Sequence, residues 1–332
     1  MRLPSSEELQ RIYHAMGDAA SKTIYRRRLL YSLLGDQEEI TKLVYESSPA
    51  GALLSASKVC YYGAGEGAGW LVPYNRNARF VIDRHKTGVF GGLPILSLDD
   101  FLKLPDCKEY LIILTVGKEA ALREIKAELD RHGLQYLHAY HDLRYADRQY
   151  FDLRQLNLRN EFFVDVGALD GETTKYFLEH FENGHAYVLE PNPEQFQRAR
   201  ERLGAYPQAE LFPYGAYDEN TRLMFDIDAA DVSSARISEN GTVSVEVRRL
   251  DDLLENRPVT FLKMDIEGSE LAALRGAERI IREQRPKLAI CVYHKPEDMW
   301  EIPSFILNCH PDYKLYLRHY SISYTETVLY AV

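Results

Sequence analysis

FFVDVGALDGETT at residues 162–174, followed by AYVLEPNP at 186–193, is the stretch whose reading decides the fold. An apolar run enters a glycine turn at Gly167 and Gly171, a helical pattern follows, and a second apolar run ends on Glu190. That order is a βαβ unit of the nucleotide-binding kind, with an acid about 20 residues beyond the glycines, where a carboxylate can hold a ribose. Gly167 and Gly171 let the backbone turn tightly and approach a ligand. Asp165 falls at the C-terminal end of its strand, the edge at which open α/β sheets bind ligands.

The charge of this turn narrows the ligand. Asp165, Asp170 and Glu172 crowd the place where a dinucleotide would put its pyrophosphate. A helix N-terminus attracts phosphate, but two or three carboxylates within ~6 Å largely cancel that attraction. A ligand with a ribose and positive charge but no phosphate suits the loop better, and S-adenosylmethionine is such a molecule. Expected cofactor contacts are Asp165, Gly167, Ala168, Asp170, Gly171 and Thr173 on the turn, then Glu190, Pro191 and Asn192. Glu190 would accept both ribose hydroxyls. Asn192 either touches the ligand or caps the helix that Pro193 opens.

Composition sets the frame around this unit. The 332 residues suffice for about two domains, and 45% hydrophobic with 27% charged content is that of an ordinary globular protein. The net charge of −10 argues against nucleic acid as a partner. MRLPSSEELQ has no apolar signal core, and no run of about 18 apolar residues suggests a membrane span. The four cysteines show no metal or disulfide spacing, and Cys60 and Cys291 read as buried thiols of a reducing cytoplasm.

Residues 1–56 read as a helical leader, with Gly35 stopping the second helical segment. Residues 57–145 read as a small α/β domain: strands in 58–62, 78–85 and 109–116, a strand–turn–helix step at 93–105, and a helix over 118–133 closed by Gly133. After a polar, aromatic connection at 141–160, the spacing predicts strands at 162–166, 186–190, 209–213, 223–227, 243–249, 259–264 and 287–293. Helices are expected at 171–182, 193–204 and 269–284. DYKLYLRHYS (312–321) and ETVLYAV (326–332) have no helix between them, so a parallel sheet ends in an antiparallel hairpin.

The acceptor half of the site is sought at the next strand ends. In FLKMDIEGSE (261–270) strand alternation puts Lys263, Asp265 and Glu267 on one face. A parallel strand is normally apolar on both faces, so these charges need partners or a task. One reading is a buried lysine–carboxylate network; the other sets Asp265 and Glu267 beside the acceptor, with Asp265 also touching the cofactor. His294 ends the following strand, and a histidine there can take a proton. The catalytic candidates are therefore Asp265, His294 and Glu267. Mg²⁺ held by these three ranks below metal-free chemistry. Gly215 and Ala216, in PYGAYDEN (213–220), are expected against the adenine, and DAADVSSARIS (228–238) as a loop closing over the site. Trp300 and Arg318–Ser321 are weaker acceptor contacts.

A second glycine loop, GAGEGA at 63–68, fits GxGxxG/A, with Asp83 about 20 residues beyond Gly63. It carries a single acid, Glu66, and could hold a nucleotide or nucleotide-sugar. It could equally be a ligand-free relic, because Pro73 makes WLVPYNRN a poor helix.

DVGALDGETT, LEPNP and LKMDIEGSELAALRGA, in this order across residues 160–295, resemble the FkbM family of S-adenosylmethionine-dependent methyltransferases. The family's first motif reads DVGAN-x-G-x-x-T, and here Leu169 stands at the Asn. The resemblance implies a Rossmann-like class I methyltransferase domain over 146–332, with a seven-stranded sheet, preceded by a smaller Rossmann-like α/β domain. It implies O-methylation of a hydroxyl on a sugar, glycan or natural product, with S-adenosylhomocysteine as product. The rivals are an NAD-dependent sugar oxidoreductase and a non-catalytic nucleotide-sugar binding protein, both working through residues 63–83.

Overall fold

The computed structural model describes residues 2–48, 50–73, 75, 77–143, 148–228, 231–237, 241 and 243–332. The chain divides into two compact units: residues 1–21, 148–317 and 328–332 in one, residues 22–147 and 318–327 in the other. Residues 1–56 do not form a unit of their own, because the first helix, Ser6–Ala15, belongs with the first unit. There the Arg11 guanidinium donates to Asn308 Oδ1 (2.6 Å) and to the Leu307 carbonyl (2.7 Å).

The second unit is built on a six-stranded sheet. Its strands are β1 (Lys58–Tyr62), β2 (Ala78–Ile82), β3 (Gly88–Phe90), β4 (Leu93–Leu96), β5 (Tyr110–Leu114) and β6 (Gln135–His138). They lie in the order β3-β4-β2-β1-β5-β6, parallel except for the β3–β4 pair. Val59, Cys60, Ile112 and Ile113 are fully buried, as strands covered on both faces require. Gly35 and Gly133, both at positive φ, end helices Ala19–Leu34 and Glu119–Arg131 as expected.

The first unit carries β7 (Phe162–Val166), β8 (His185–Leu189), β9 (Ala209–Phe212), β10 (Gly215–Ala216), β11 (Thr221–Asp228), β12 (Asp231–Ile237), β13 (Val243–Arg248), β14 (Phe261–Met264), β15 (Lys287–Cys291), β16 (Leu315–His319) and β17 (Thr327–Ala331). Seven of these form a sheet in the order β16-β17-β15-β14-β7-β8-β9. β17 runs antiparallel to β15, while β15, β14, β7, β8 and β9 pair parallel. Lys314 and Val332 exchange two backbone hydrogen bonds (2.9 and 3.0 Å) and close the terminal hairpin. The expected seven-stranded sheet with an antiparallel hairpin is therefore present. Phe151, Phe163, Phe177 and Phe261 pack under β7, with ring centroids of Phe163 and Phe177 4.6 Å apart. Each such pair adds about 0.5–1.5 kcal/mol beyond its buried area.

Two expectations are corrected. DAADVSSARIS does not form a covering loop: residues 231–237 are strand β12, paired antiparallel to β11, in a second sheet of order β10-β13-β11-β12. Residues 229, 230 and 238 of that stretch lie outside the described residues. The single helix expected over 269–284 is two, Glu270–Arg275 and Glu278–Gln284. The break falls at Gly276, where an added Cβ would lie 1.9 Å from the Tyr217 carbonyl oxygen, so the chain passes too closely for a regular side chain.

Candidate active site

At the C-terminal ends of β7, β8 and β14 lies a cleft that opens to solvent. Gly167 and Leu169 form its floor, Glu190, Pro191 and Asn192 one side, and Asp265 and Glu267 the other. Gly215, Ala216 and Phe225 come to it from the second sheet, so strand β11 supplies a side chain where a loop was expected to cover the site.

The turn after β7 is shaped by left-handed backbone. Gly167 (φ 74°), Leu169 (φ 52°) and Gly171 (φ 81°) are all at positive φ. A Cβ on Gly167 would lie 2.0 Å from the Asp265 carbonyl oxygen, so glycine alone lets β7 and the residue 265 turn approach this closely. Glu190 is tied to that turn: Oε2 accepts from the Leu169 N–H and Oε1 from the Asn192 N–H, both at 2.8 Å. Burial pushes its carboxyl up to about 7, against these two N–H donors. Asn192 does cap the helix Pro193–Leu203, accepting from Glu194 N–H at 2.9 Å, and it also lines the cleft.

The acids of the turn are placed otherwise than their spacing suggests. Asp165 is fully buried, receives the Thr174 hydroxyl at 2.7 Å and pairs with Lys263 at 2.9 Å. Asp170 and Glu172 both pair with Arg202, at 2.9 and 2.6 Å. Asp165, Ala168, Asp170, Gly171 and Thr173 are not among the cleft-lining residues. Thr174, next to Thr173, makes the contact to Asp165. The acidity of the loop is thus largely neutralised from within. Glu190 is the acid left facing the cleft on this side.

On the opposite wall β14 stops at Met264, so strand alternation does not carry Glu267 to its place. Glu267 (φ 54°) and Gly268 (φ 94°) turn the chain back instead. A side chain held in this region carries backbone strain that the surrounding contacts must sustain. Lys263 is buried, donates to the Gly167 carbonyl at 2.6 Å, and belongs to the internal network with Asp165. Lys263 is thus part of a buried lysine–carboxylate network. Asp265 turns to the cleft and accepts from Tyr150 Oη at 2.7 Å and Tyr293 Oη at 3.2 Å. Burial works against its charge, but Lys263, His294 and the Tyr150 hydroxyl hold its carboxyl below the usual range.

His294 lies beyond the end of β15 and is brought to the same wall. Its Nδ1 is 2.9 Å from Glu270 Oε1; its Nε2 is 3.5 Å from Asp265 Oδ1 and 3.7 Å from Glu267 Oε1. Burial disfavours the cation, but these three carboxylates overcome it and push the ring up to about 9. At neutral pH such an imidazole already carries its proton, so it cannot take another from an acceptor.

Tyr150 and Glu270 were not found from the sequence. Tyr150 sits in the connecting stretch at φ 76°, with Lys263 Nζ 5.3 Å from its ring centroid. Its partner on the cleft wall, Asp265, is 115 residues away in the chain, and no local pattern signals the pairing. Glu270 begins a helix and reads as an ordinary first-turn acid, yet it is fully buried and accepts from the Ile266 N–H at 2.9 Å. Trp300 and Arg318 are buried rather than placed for acceptor contact, and so are His319 and Tyr320.

A seven-stranded sheet in this order, with a glycine turn and an acid at the first two strand ends, is the architecture of the Rossmann-like methyltransferase fold. Residues 165–320, just under half of this chain, match the Methyltransferase FkbM domain. The 2-O-methyltransferase NoeI of Sinorhizobium fredii (strain NBRC 101917 / NGR234) is 28% identical over 144 residues, 37% of this chain and 59% of that protein. Methyltransferase 1 of Beauveria bassiana (strain ARSEF 2860) is 27% identical over 147 residues, 36% of this chain and 59% of that one. The matched part thus spans 59% of the length of each of these curated relatives. Methyltransferase FkbM from Methylobacillus flagellatus KT superposes with a TM-score of 0.50 at 22% identity, over 92% of this chain and 99% of that one, a likeness of fold. No helix among the described residues is long and apolar enough to cross a membrane.

Proposed function

We propose that this methyltransferase moves the methyl group of S-adenosylmethionine to a hydroxyl oxygen of a sugar or similar small polyol. The observation that carries the cofactor is Glu190. It is 6% exposed, anchored by two backbone N–H groups, and faces the cleft at the end of β8. Its remaining lone pairs suit the two hydroxyls of a ribose, and a diol donating there would offset the cost of burying its charge. Apolar Phe225 and Val247, with Gly215 and Ala216, suit the adenine. The name of NoeI, a 2-O-methyltransferase, supports oxygen as the acceptor atom.

In the transfer the acceptor oxygen attacks the methyl carbon, the carbon–sulfur bond breaks toward sulfur, and S-adenosylhomocysteine leaves as a neutral thioether. The hydroxyl proton passes to the carboxylate wall of Asp265 and Glu267 and from there to solvent. Positioning supplies most of the acceleration, since two well-oriented bound reactants reach effective molarities of ~10⁵ M or more. His294, already protonated, serves this wall as a counter-ion. Calorimetric titration with S-adenosylmethionine, S-adenosylhomocysteine and NAD tests the reading. We expect the first two to bind and NAD not to. Binding of NAD alone would favour an oxidoreductase working through residues 63–83.

A further inference from the structure

We infer that Asp265, Glu267 and His294 hold one divalent transition-metal ion of the manganese-to-zinc range on the cleft wall, with Glu270 orienting the imidazole. The distances from His294 Nε2 to the two carboxylates, 3.5 and 3.7 Å, are too long for hydrogen bonds. They are close to the edge of a coordination tetrahedron: ligands about 2.0–2.2 Å from a common ion lie roughly 3.4 Å from one another. The His294 side chain is 6% exposed, and its Nε2 makes no hydrogen bond. A buried ring nitrogen aimed between two carboxylates without bonding either can serve as a ligand, the ion displacing the proton that this nitrogen otherwise carries as a counter-ion to the wall.

The other side of the ring completes the pattern. Nδ1 lies 2.9 Å from Glu270 Oε1, and Glu270 is fully buried and fixed by the Ile266 N–H. A carboxylate behind a histidine sets the tautomer that presents the opposite nitrogen to a metal. Asp265, Glu270 and His294 bring one atom each within 4.8 Å of the others, and Glu267 joins this group through His294 Nε2 at 3.7 Å. Tyr150 similarly fixes Asp265 by bonding Oδ2, while Oδ1, which accepts from Tyr293 Oη at 3.2 Å, faces His294. A nitrogen donor among oxygens favours manganese, iron or zinc over Mg²⁺, which prefers an oxygen and water shell.

Because Asp265 and Glu267 line the cleft, the ion would face the acceptor and could take its hydroxyl as a further ligand, easing loss of the proton. That role rests on the methyl-transfer reading; the binding itself does not. The test uses the full chain, stripped with a chelator and titrated with MnCl₂ while free Mn²⁺ is followed by electron paramagnetic resonance, then with ZnCl₂ by calorimetry. One equivalent should bind. His294→Ala and Asp265→Asn should each weaken binding by about 100-fold or more, and Glu270→Gln by about 10–100-fold. If His294→Ala does not fold, as judged by circular dichroism, Glu267→Gln on the cleft wall takes its place. Absence of saturable binding, or unchanged affinity in the folded ligand variants, overturns the site. S-adenosylmethionine is titrated into the same samples: a chain that binds it but no metal sinks this inference alone, and the reverse sinks the methyl-transfer reading alone.

Discussion

The chain contains two strand–glycine-turn–acid units, and they use the acid in opposite ways. In the unit at 63–83, Asp83 Oδ2 accepts from the Ala64 N–H (2.8 Å), while Oδ1 accepts from the His85 and Lys86 N–H groups (2.8 and 2.9 Å). Although burial opposes it, those donors keep its carboxyl below the usual range. In the unit at 167–190, Glu190 has two such donors, deeper burial and a carboxyl raised to about 7. Asp83 is consumed in holding its own turn together. Glu190 is held in place with bonding capacity to spare and bears an electrostatic cost that a ligand can relieve. The same sequence signature thus describes a finished structural tie in one half and an open binding position in the other.

The glycines give the largest contrast. Gly167→Ala brings a Cβ against the Asp265 carbonyl, part of the backbone, and forces a left-handed alanine. We expect a loss above about 3 kcal/mol and failure of the cleft to form. Gly63→Ala meets Val116 Cγ2 at 2.9 Å and Thr115 Oγ1 at 3.2 Å, side-chain atoms that can give way, so about 1–3 kcal/mol is expected. Urea denaturation of both variants decides it. Equal losses would mean that the close approach of β7 to the residue 265 turn is not what requires Gly167.

The acids come next. Glu190→Gln should weaken S-adenosylmethionine binding about 100-fold, a difference of roughly 2.7 kcal/mol, and leave the fold intact. Asp83→Asn should leave that affinity unchanged and cost about 1–3 kcal/mol of stability, because backbone donors lose a charged acceptor. Calorimetry with denaturation on both proteins checks the pair. If Asp83→Asn were the variant that lost the cofactor, the two units would have exchanged roles.

What could be read in advance follows the same division between local and distant causes. The β7–turn–β8 unit was legible because apolar runs, positive-φ glycines and a cap are local properties, and Asn192 caps as its position before Pro193 suggests. Glu190, Gly215, Ala216, Asp265 and Glu267, expected at the site, line the cleft. What could not be read is which charges cancel. Arg202 reaches back to Asp170 and Glu172, and Lys263 crosses to Asp165, so the acidity that first distinguished the loop is mostly internal. Residues 231–237 look like loop by composition, but pairing with β11 makes them strand, because strand preference yields to a partner supplied elsewhere in the chain. A lone Trp300 carries no local mark of its burial.

The two acids also predict opposite pH slopes. Glu190 has a raised carboxyl, so between the unfolded value near 4.5 and about 7 the folded state binds more protons and stability falls as pH rises. Glu190→Gln should therefore be more stable than the parent at pH 8, with the gain vanishing below about pH 5. Asp83 has a lowered carboxyl, so its contribution is present above the unfolded value of about 3.8 and is lost as pH falls below it. Cofactor affinity should rise with pH up to about 7, where Glu190 becomes charged, and then level off. Thermal melts from about pH 3 to 8 and cofactor titrations from about pH 5 to 8 give these curves, and a Glu190→Gln gain independent of pH would refute the buried-charge explanation.

The smallest effect concerns the residue that ties each acid to its turn. Ala64 donates its N–H to Asp83 and Leu169 donates its N–H to Glu190, both at 2.8 Å. Leu169 alone among the two must adopt φ 52° to do so, with its side chain 40% exposed. A leucine is ill suited to that conformation, whereas asparagine enters it readily. Leu169→Asn should thus gain up to about 1 kcal/mol of stability while keeping the bond to Glu190. Leu169→Val, stiff at Cβ, should lose about as much and weaken the cofactor with it, because the N–H can no longer be held toward Glu190. Ala64→Asn, on the unit without that strain, should gain nothing. A stabilisation of equal size at both positions would trace the effect to asparagine itself and not to the left-handed turn that opens the cleft.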